Sequence, residues 1–298
     1  MTRVFTEHMH SDPAYRSRLR ACRLDTVGKV LACIDGRITA WSRTTDTLFV
    51  PGPDAAPGFY VKRYTFPTWR QRLRGAFRGT FFGLPRGQAE HDALRAMQAL
   101  GVPAVRPVAC GERRCLHFLT ACFLITEEAP DAVNLTTYAS EARSGRRTVT
   151  PAQRELLIRT LAQHLAQMHS VGCSHGNLFW RNVLVRDGPD ATPEFFFLDP
   201  QPVRAWRRYA SGVAWWVREL AQVTVSAQPF TSRAERLRFF RHYLGVKRLT
   251  PALKAQWRQI ESLARSWQKH EQRRIRMNDL FETWSRQLQL ERRRGQPA

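Results

Sequence analysis

Residues 175–182 read His175-Gly176-Asn177-Leu178-Phe179-Trp180-Arg181-Asn182, or HGNLFWRN. Before this stretch lies a helical pattern that starts at Thr150-Pro151 with Gln153 three on, a capping-box signature. Leu157, Leu161, Leu165 and Met168 form its apolar stripe, and Gly172 stops it. After it comes a short apolar strand, Val183-Leu184-Val185, then the turn Arg186-Asp187-Gly188-Pro189, then Phe195-Phe196-Phe197-Leu198-Asp199. A two-stranded hairpin brings its ends together, so Asn182 and Asp199 are expected at one spot. An amide oxygen and a carboxylate there suit a hard cation such as Mg²⁺ that is shared with phosphates. The bland alternative is a polar residue at each strand end, where Asn and Asp favour turns.

Upstream, the chain reads as short strands. Val27 to Ile34 has strand character, followed by the turn Asp35-Gly36 and by Ile38 to Trp41. Thr47 to Val50 is a further strand, and Pro51 to Gly58 breaks the pattern. Phe59-Tyr60-Val61-Lys62-Arg63-Tyr64 resumes it. Gln88 to Leu100 is an expected helix with Ala89, Ala93, Met97 and Leu100 on one face, stopped by Gly101-Val102-Pro103. Val105 to Ala109 and His117 to Thr126 read as strands around a turn at Gly111 to Arg114. A short connector follows Glu127-Glu128-Ala129-Pro130. Everything after the hairpin is mostly helical, with a frayed tail expected at 291–298. The order predicts an α+β protein: a small antiparallel-sheet lobe with one key helix over 1–126, then a larger, mainly helical lobe over 127–298.

The chain has 298 residues and a formal net charge of +22. That length supports one large domain or two lobes with a proper core. Lys29, Lys62, Lys247, Lys254 and Lys269 are the only lysines, so nearly all the positive charge is Arg. Such a balance favours polyanions: phosphorylated substrates, anionic membrane or nucleic acid. An Arg-rich compositional bias would give the same charge. Arg70, Arg72, Arg74, Arg78 and Arg86 flank Trp69, Phe77, Phe81 and Phe82. The reading is either a surface for anionic headgroups or a solvated loop with its aromatics turned inward. Arg258, Arg265, Arg273, Arg274 and Arg276 with Trp267 and Trp284 could suit nucleic acid, yet no recognition module accompanies them. The six cysteines form no CxxC pair, and free thiols in a reducing compartment are expected. The start MTRVFTEHMHSDPAYRSRLR has no apolar signal region, and no run of about 18 apolar residues occurs. The expected location is cytoplasmic, peripheral on the inner membrane.

Lys62 ends an aromatic strand and Glu90 lies on the next helix. In phosphotransferases of the protein-kinase type a strand lysine grips the α- and β-phosphates and pairs with a helix glutamate. The same enzymes carry H-x-D-L-x-x-x-N before a hairpin that ends in a metal-binding Asp. A solvated Lys on an edge strand is the alternative reading of Lys62. No G-x-G-x-x-G precedes Lys62, so the nucleotide roof is unmarked.

The segments FYVKRY, AEHDALRAMQALGVPAVRPVACGE, FLITEEAP, HGNLFWRNVLV, FFFLDP and RFFRHYLGV resemble the lipopolysaccharide kinase family, which includes heptose and Kdo kinases. The resemblance runs from about Phe59 to Leu249. It implies a bilobal protein-kinase-like fold, ATP with Mg²⁺, and phosphoryl transfer to a lipid-linked core sugar at the inner membrane. It also implies Lys62 on phosphates with Glu90 as partner, Glu127, Glu128 and Ala129 beside adenine, and Asn182 and Asp199 on metal.

Two departures stand out. Asn177 occupies the position of the family's catalytic Asp. An amide cannot accept a proton at neutral pH, though it can orient a hydroxyl. Losing a general base commonly costs about 10²–10⁴ in rate. Glu219 stands where relatives usually have Asp, and the longer acid is expected to brace the loop. Three functions follow in order: a slow sugar kinase, a nucleotide-binding or scaffolding pseudokinase, and a nucleic-acid-binding protein.

Overall fold

The computed structural model describes residues 5–42, 44–74, 79–201 and 213–294. The chain divides into two compact units, Met1–Asp92 with Arg106–Pro130 and Arg274–Ala298, and Ala93–Val105 with Asp131–Arg273. This partition is not the single division expected after residue 126. Residues 127–130 group with the first unit, 93–105 with the second, and 274–298 return to the first.

The first unit is built on a six-stranded antiparallel sheet. Its strands are β1 (Phe5–Ser11), β2 (Arg37–Trp41), β3 (Thr45–Val50), β4 (Phe59–Thr65), β5 (Pro107–Cys115) and β6 (Phe118–Glu127). They lie in the order β1-β5-β6-β4-β3-β2. Two short helices, α1 (Arg16–Ala21) and α2 (Val27–Ala32), supply Leu19, Val27 and Val30 to a core shared with Phe59, Val61, Phe123 and Ile125. Side chains alternate across a strand. Phe59 and Val61 therefore face that core, while Lys62 and Tyr64 are carried to other partners.

In the first unit, three elements differ from the sequence reading. Val27–Ala32 is a helix rather than a strand. Thr26 caps it by accepting from the Lys29 amide at 3.3 Å, and Val27 and Val30 share its buried face. A short apolar run does not distinguish a strand from a buried helical turn. The turn expected at Gly111 to Arg114 lies inside β5, and the real turn is Leu116-His117, both at positive φ (50° and 65°). The N-terminal segment, which carried no expected element, contributes edge strand β1 and α1. A small helix, α3 (Trp69–Arg74), follows β4.

Helix α4 (Arg86–Ala99) begins against β6. A Cβ on Gly87 would stand 2.3 Å from the Phe123 carbonyl oxygen, so only glycine permits this approach. That contact brings the first turn of α4, with Glu90, over the sheet.

The second unit is mainly helical: α5 (Leu135–Arg143), α6 (Pro151–Ser170), α7 (Trp215–Ala227), α8 (Arg233–Leu244) and much of the long α9 (Pro251–Arg294). Helix α5 occupies what read as a connector. Helix α9 continues through 291–294, where fraying was expected. The three-stranded sheet β7 (Val133–Asn134), β8 (Val183–Asp187) and β9 (Pro193–Phe197) contains the expected hairpin. Thr150 makes the expected capping box at the start of α6. No described helix is long and apolar enough to cross a membrane.

Candidate active site

In the first unit, Lys62 Nζ lies 3.0 and 2.9 Å from the two carboxylate oxygens of Glu90. Tyr64, two residues on and on the same strand face, donates its hydroxyl to Glu90 Oε2 at 2.7 Å. Glu90 is only 6% exposed. Burial, and then the Glu90 charge, push the Tyr64 phenol pKa well above its ordinary range, so it stays a donor. The pair expected from sequence is thus in hydrogen-bond contact, with a tyrosine the sequence reading missed. Its signal was the Lys-x-Tyr spacing along a strand.

Glu127 ends β6 and accepts from the Tyr15 hydroxyl and from Arg18 Nη1, each at 2.6 Å. Burial and this carboxylate raise Tyr15 to about 12. Glu128 accepts from the Gly58 amide at 2.7 Å. Both side chains therefore bind the chain's own segments, and Ala129 follows without regular structure. The contribution of Tyr15 and Arg18 is separated from Glu127 by more than a hundred residues, and no local pattern announces it.

In the second unit, HGNLFWRN is clamped along α7. Glu219 accepts from the Gly176 amide at 2.5 Å and from the Ser174 hydroxyl, and lies 3.0 Å from His169 Nε2. Gln222 accepts from the Leu178 amide at 2.7 Å and donates to the Gly176 carbonyl at 3.3 Å. Ser226 Oγ accepts from the Trp180 amide at 3.3 Å. Positions i, i+3 and i+7 of one helix thus hold residues 176, 178 and 180 of the loop. Burial pushes the Glu219 pKa up, but the hydrogen bonds from His169, Ser174 and Gly176 outweigh it and hold it below the usual carboxylate range. Sequence reading singled out Glu219 and missed Gln222 and Ser226. Their signal was three polar residues on one face of an otherwise apolar helix.

Gly176 has φ +73°, and a Cβ there would meet the Gln201 side chain at 2.8 Å. His175 is fully buried, and burial pushes its pKa down, leaving it neutral. Its Nδ1 accepts from the Asn177 amide at 3.3 Å. Arg181 is anchored bidentately to the buried Glu271 of α9, at 2.7 and 2.8 Å.

The loop's polar side chains come together as a chain. Asn177 Nδ2 donates to Asp199 Oδ2 at 2.8 Å, and Asn182 Nδ2 donates to the Asn177 carbonyl at 2.8 Å. The backbone joins too, with Leu198 N donating to the Asn182 carbonyl at 3.0 Å. Because a carboxylate only accepts, the amide of Asn177 must present its nitrogen to Asp199. With its nitrogen used, Asn182 has its oxygen as the remaining ligand atom. One carboxylate and one amide oxygen form a sparse, hard donor set that fits Mg²⁺ shared with phosphates. Among the described residues no group of three or more His, Cys, Asp or Glu could hold a metal by itself.

The basic stretch after β4 is only partly as expected. Arg72 is buried, stacks over Trp69 at 4.9 Å, and donates to the Phe66 carbonyl at 2.9 Å, so it is a structural arginine. Phe77 and Arg78 lie outside the described residues, as does the Arg74 side chain.

Two units carrying these elements make a protein-kinase-like α+β fold, as the sequence predicted. The model of the "Lipopolysaccharide kinase (Kdo/WaaP) family" matches residues 23–243, and the chain belongs to that family. The lipopolysaccharide core heptose(I) kinase WaaP of Pseudomonas aeruginosa is 27% identical over 188 residues, covering 62% of this chain and 69% of the relative. A solved structure of WaaP in complex with acyl carrier protein aligns with a TM-score of 0.58 at 20% identity, covering 90% of this chain and 99% of that one. The likeness to the solved structure concerns the fold.

Proposed function

We propose that this chain transfers a phosphoryl group from ATP to a hydroxyl of a lipid-linked lipopolysaccharide core sugar. The observation that carries this reading is the pairing of Lys62 with Glu90 in a chain of this family whose loop keeps Asn182 and Asp199 within one hydrogen-bonded cluster. Lys62, fixed by Glu90, grips nucleotide phosphates. Segment 127–129 borders adenine. Asp199 and Asn182 hold Mg²⁺, which supplies charge neutralisation on the phosphates when bound. Asn177 orients the acceptor hydroxyl through its amide oxygen. Phosphoryl transfer passes through a loose transition state in which positioning outweighs proton abstraction. An amide at 177 therefore slows transfer without removing the machinery.

Asn177 itself favours a second reading, a pseudokinase that binds nucleotide without turnover. Thermal stability with and without Mg·ATP, using Asp199→Ala as control, tests what both readings share. A Mg-dependent rise absent in the variant supports a nucleotide site. Transfer of labelled γ-phosphate to a heptose- or Kdo-bearing lipid acceptor then separates the kinase from the pseudokinase.

The solved WaaP structure contains acyl carrier protein, and on this reading such a carrier is also a partner here. A cavity of about 200 Å³ in the second unit, lined by Leu135, Leu157, Leu161, Phe195 and Phe230 among others, suits part of an acyl chain. Loss of carrier-dependent stabilisation in a Leu161→Trp variant would support this assignment.

A further inference from the structure

We infer that α3 and residues 79–86 form a docking face for an anionic lipid bilayer. This inference stands apart from the kinase reading. Trp69, Leu73, Phe82 and Leu84 are 49%, 60%, 56% and 55% exposed. Single exposed apolar residues are ordinary, but Trp69, Leu73 and Phe82 are linked, and Leu84 follows two residues after Phe82. Trp69 and Phe81 both pack on Phe118, with ring centroids 5.2 and 4.7 Å away, and Phe82 packs on Phe81 at 4.6 Å. Leu73 lies one helical turn from Trp69 and shares its face. The rings underneath are fixed: Arg72 stacks on Trp69, and the Thr80 carbonyl accepts from the Leu119 amide at 2.7 Å. The result is an aromatic base from which the outer apolar groups stand into solvent.

Charge identifies the occupant. From Ala55 through Ala89 the sequence contains no Asp or Glu, so no acid of this stretch offsets its exposed arginines. Arg70 and Arg86 are exposed beside the apolar groups. Trp and Leu over a basic rim match the boundary between acyl chains and anionic headgroups, where indole rings concentrate and each nearby Arg adds attraction. An acidic protein would meet the arginines but would find four bulky apolar groups with few polar partners between them.

The test is flotation with phosphatidylcholine vesicles, with and without phosphatidylglycerol, at physiological salt. The wild type should float with the anionic vesicles and stay behind with the neutral ones. Leu73→Ser with Leu84→Ser changes no charge and should weaken binding about tenfold or more. Met277→Ser with Leu280→Ser, an equal loss at another exposed site, should bind as wild type. Arg70→Gln should bind more weakly, with a smaller salt dependence. The proposal is overturned if the wild type ignores anionic vesicles, or if the double serine variant floats unchanged. It is equally overturned if that variant keeps vesicle binding and instead loses self-association or binding to an acidic protein. Mg·ATP stabilisation is read on the same samples. Lost flotation with intact stabilisation points to the face alone, and the reverse points to the kinase reading alone.

Discussion

Glu90 and Glu219 are both buried carboxylates, and each organises one region of the molecule. They act on different things. Glu90 holds Lys62, the side chain assigned to the nucleotide under the proposed function, and is itself steadied by Tyr64. Glu219 holds backbone and scaffold: the Gly176 amide, Ser174 and His169. In the first region chemistry and architecture are the same atoms, so a change at Lys62 damages both. In the second they are separate. The loop keeps its path through Glu219, Gln222 and Ser226 whichever side chain stands at 177. That separation accounts for an intact loop around a missing acid. Asn177 even makes a contact that a carboxylate would not, since two ionised acids facing each other repel.

The strongest test of the comparison is Asp199→Ala. It removes the carboxylate in both the metal set and the Asn177 contact, and transfer should fall about 10³-fold, a loss of the size seen when one charge-stabilising group is deleted. Normal Mg·ATP stabilisation in this variant would sink the metal assignment. Glu219→Ala comes next. Removing one member of a buried, hydrogen-bonded set should lower stability by about 3 kcal/mol, read by denaturant unfolding. A near-wild-type midpoint would mean that the loop holds itself. Asn177→Asp should raise transfer about 10²-fold if only the base is missing. The same variant should melt lower in the absence of nucleotide, because the new acid faces Asp199. An unchanged rate would place the limitation elsewhere.

Glu90→Gln sharpens the other side. Lys62 loses its charged partner, and the KM for ATP should rise about tenfold with a smaller change in kcat, as for lost ground-state binding. The smallest effect concerns acid. Burial pushes Glu235 up, but the hydrogen bonds from Arg154 and Ser232 outweigh it and hold it at about 2, against an ordinary 4.5. A depressed carboxyl contributes stability that is present above 4.5 and lost as pH falls towards 2. Glu235→Gln should flatten the melting curve across that window, while His175, also depressed, acts earlier as pH falls below its ordinary 6.5.

The contacts of the candidate site were legible because its residues follow one another in one order: Lys62, Glu90, His175 to Asn182, Asp199. The Thr150 cap was legible for the same local reason. What escaped depends on distance or ambiguity. Val27–Ala32 is too short for periodicity to choose between helix and strand. The Tyr15 and Arg18 contacts with Glu127 join residues more than a hundred apart in sequence, and β1 finds β5 only in three dimensions. Gln222 and Ser226 looked like ordinary polar residues until the loop lay beside them.

The α7 contacts also act as a ruler. A helix advances about 1.5 Å per residue, so Glu219 to Ser226 spans about 10 Å. Gly176 to Trp180, four steps of chain, reach at most about 13–14 Å when extended. The two lengths match closely enough that hydrogen bonds repeat at every second loop residue. A substitution at the tip leaves this spacing alone. A single inserted or deleted residue between the contacts, in the helix or in the loop, shifts one scale against the other and puts the contacts on its two sides out of register. Position 177 is therefore open to changes of letter, while the segment around it is intolerant of changes of length.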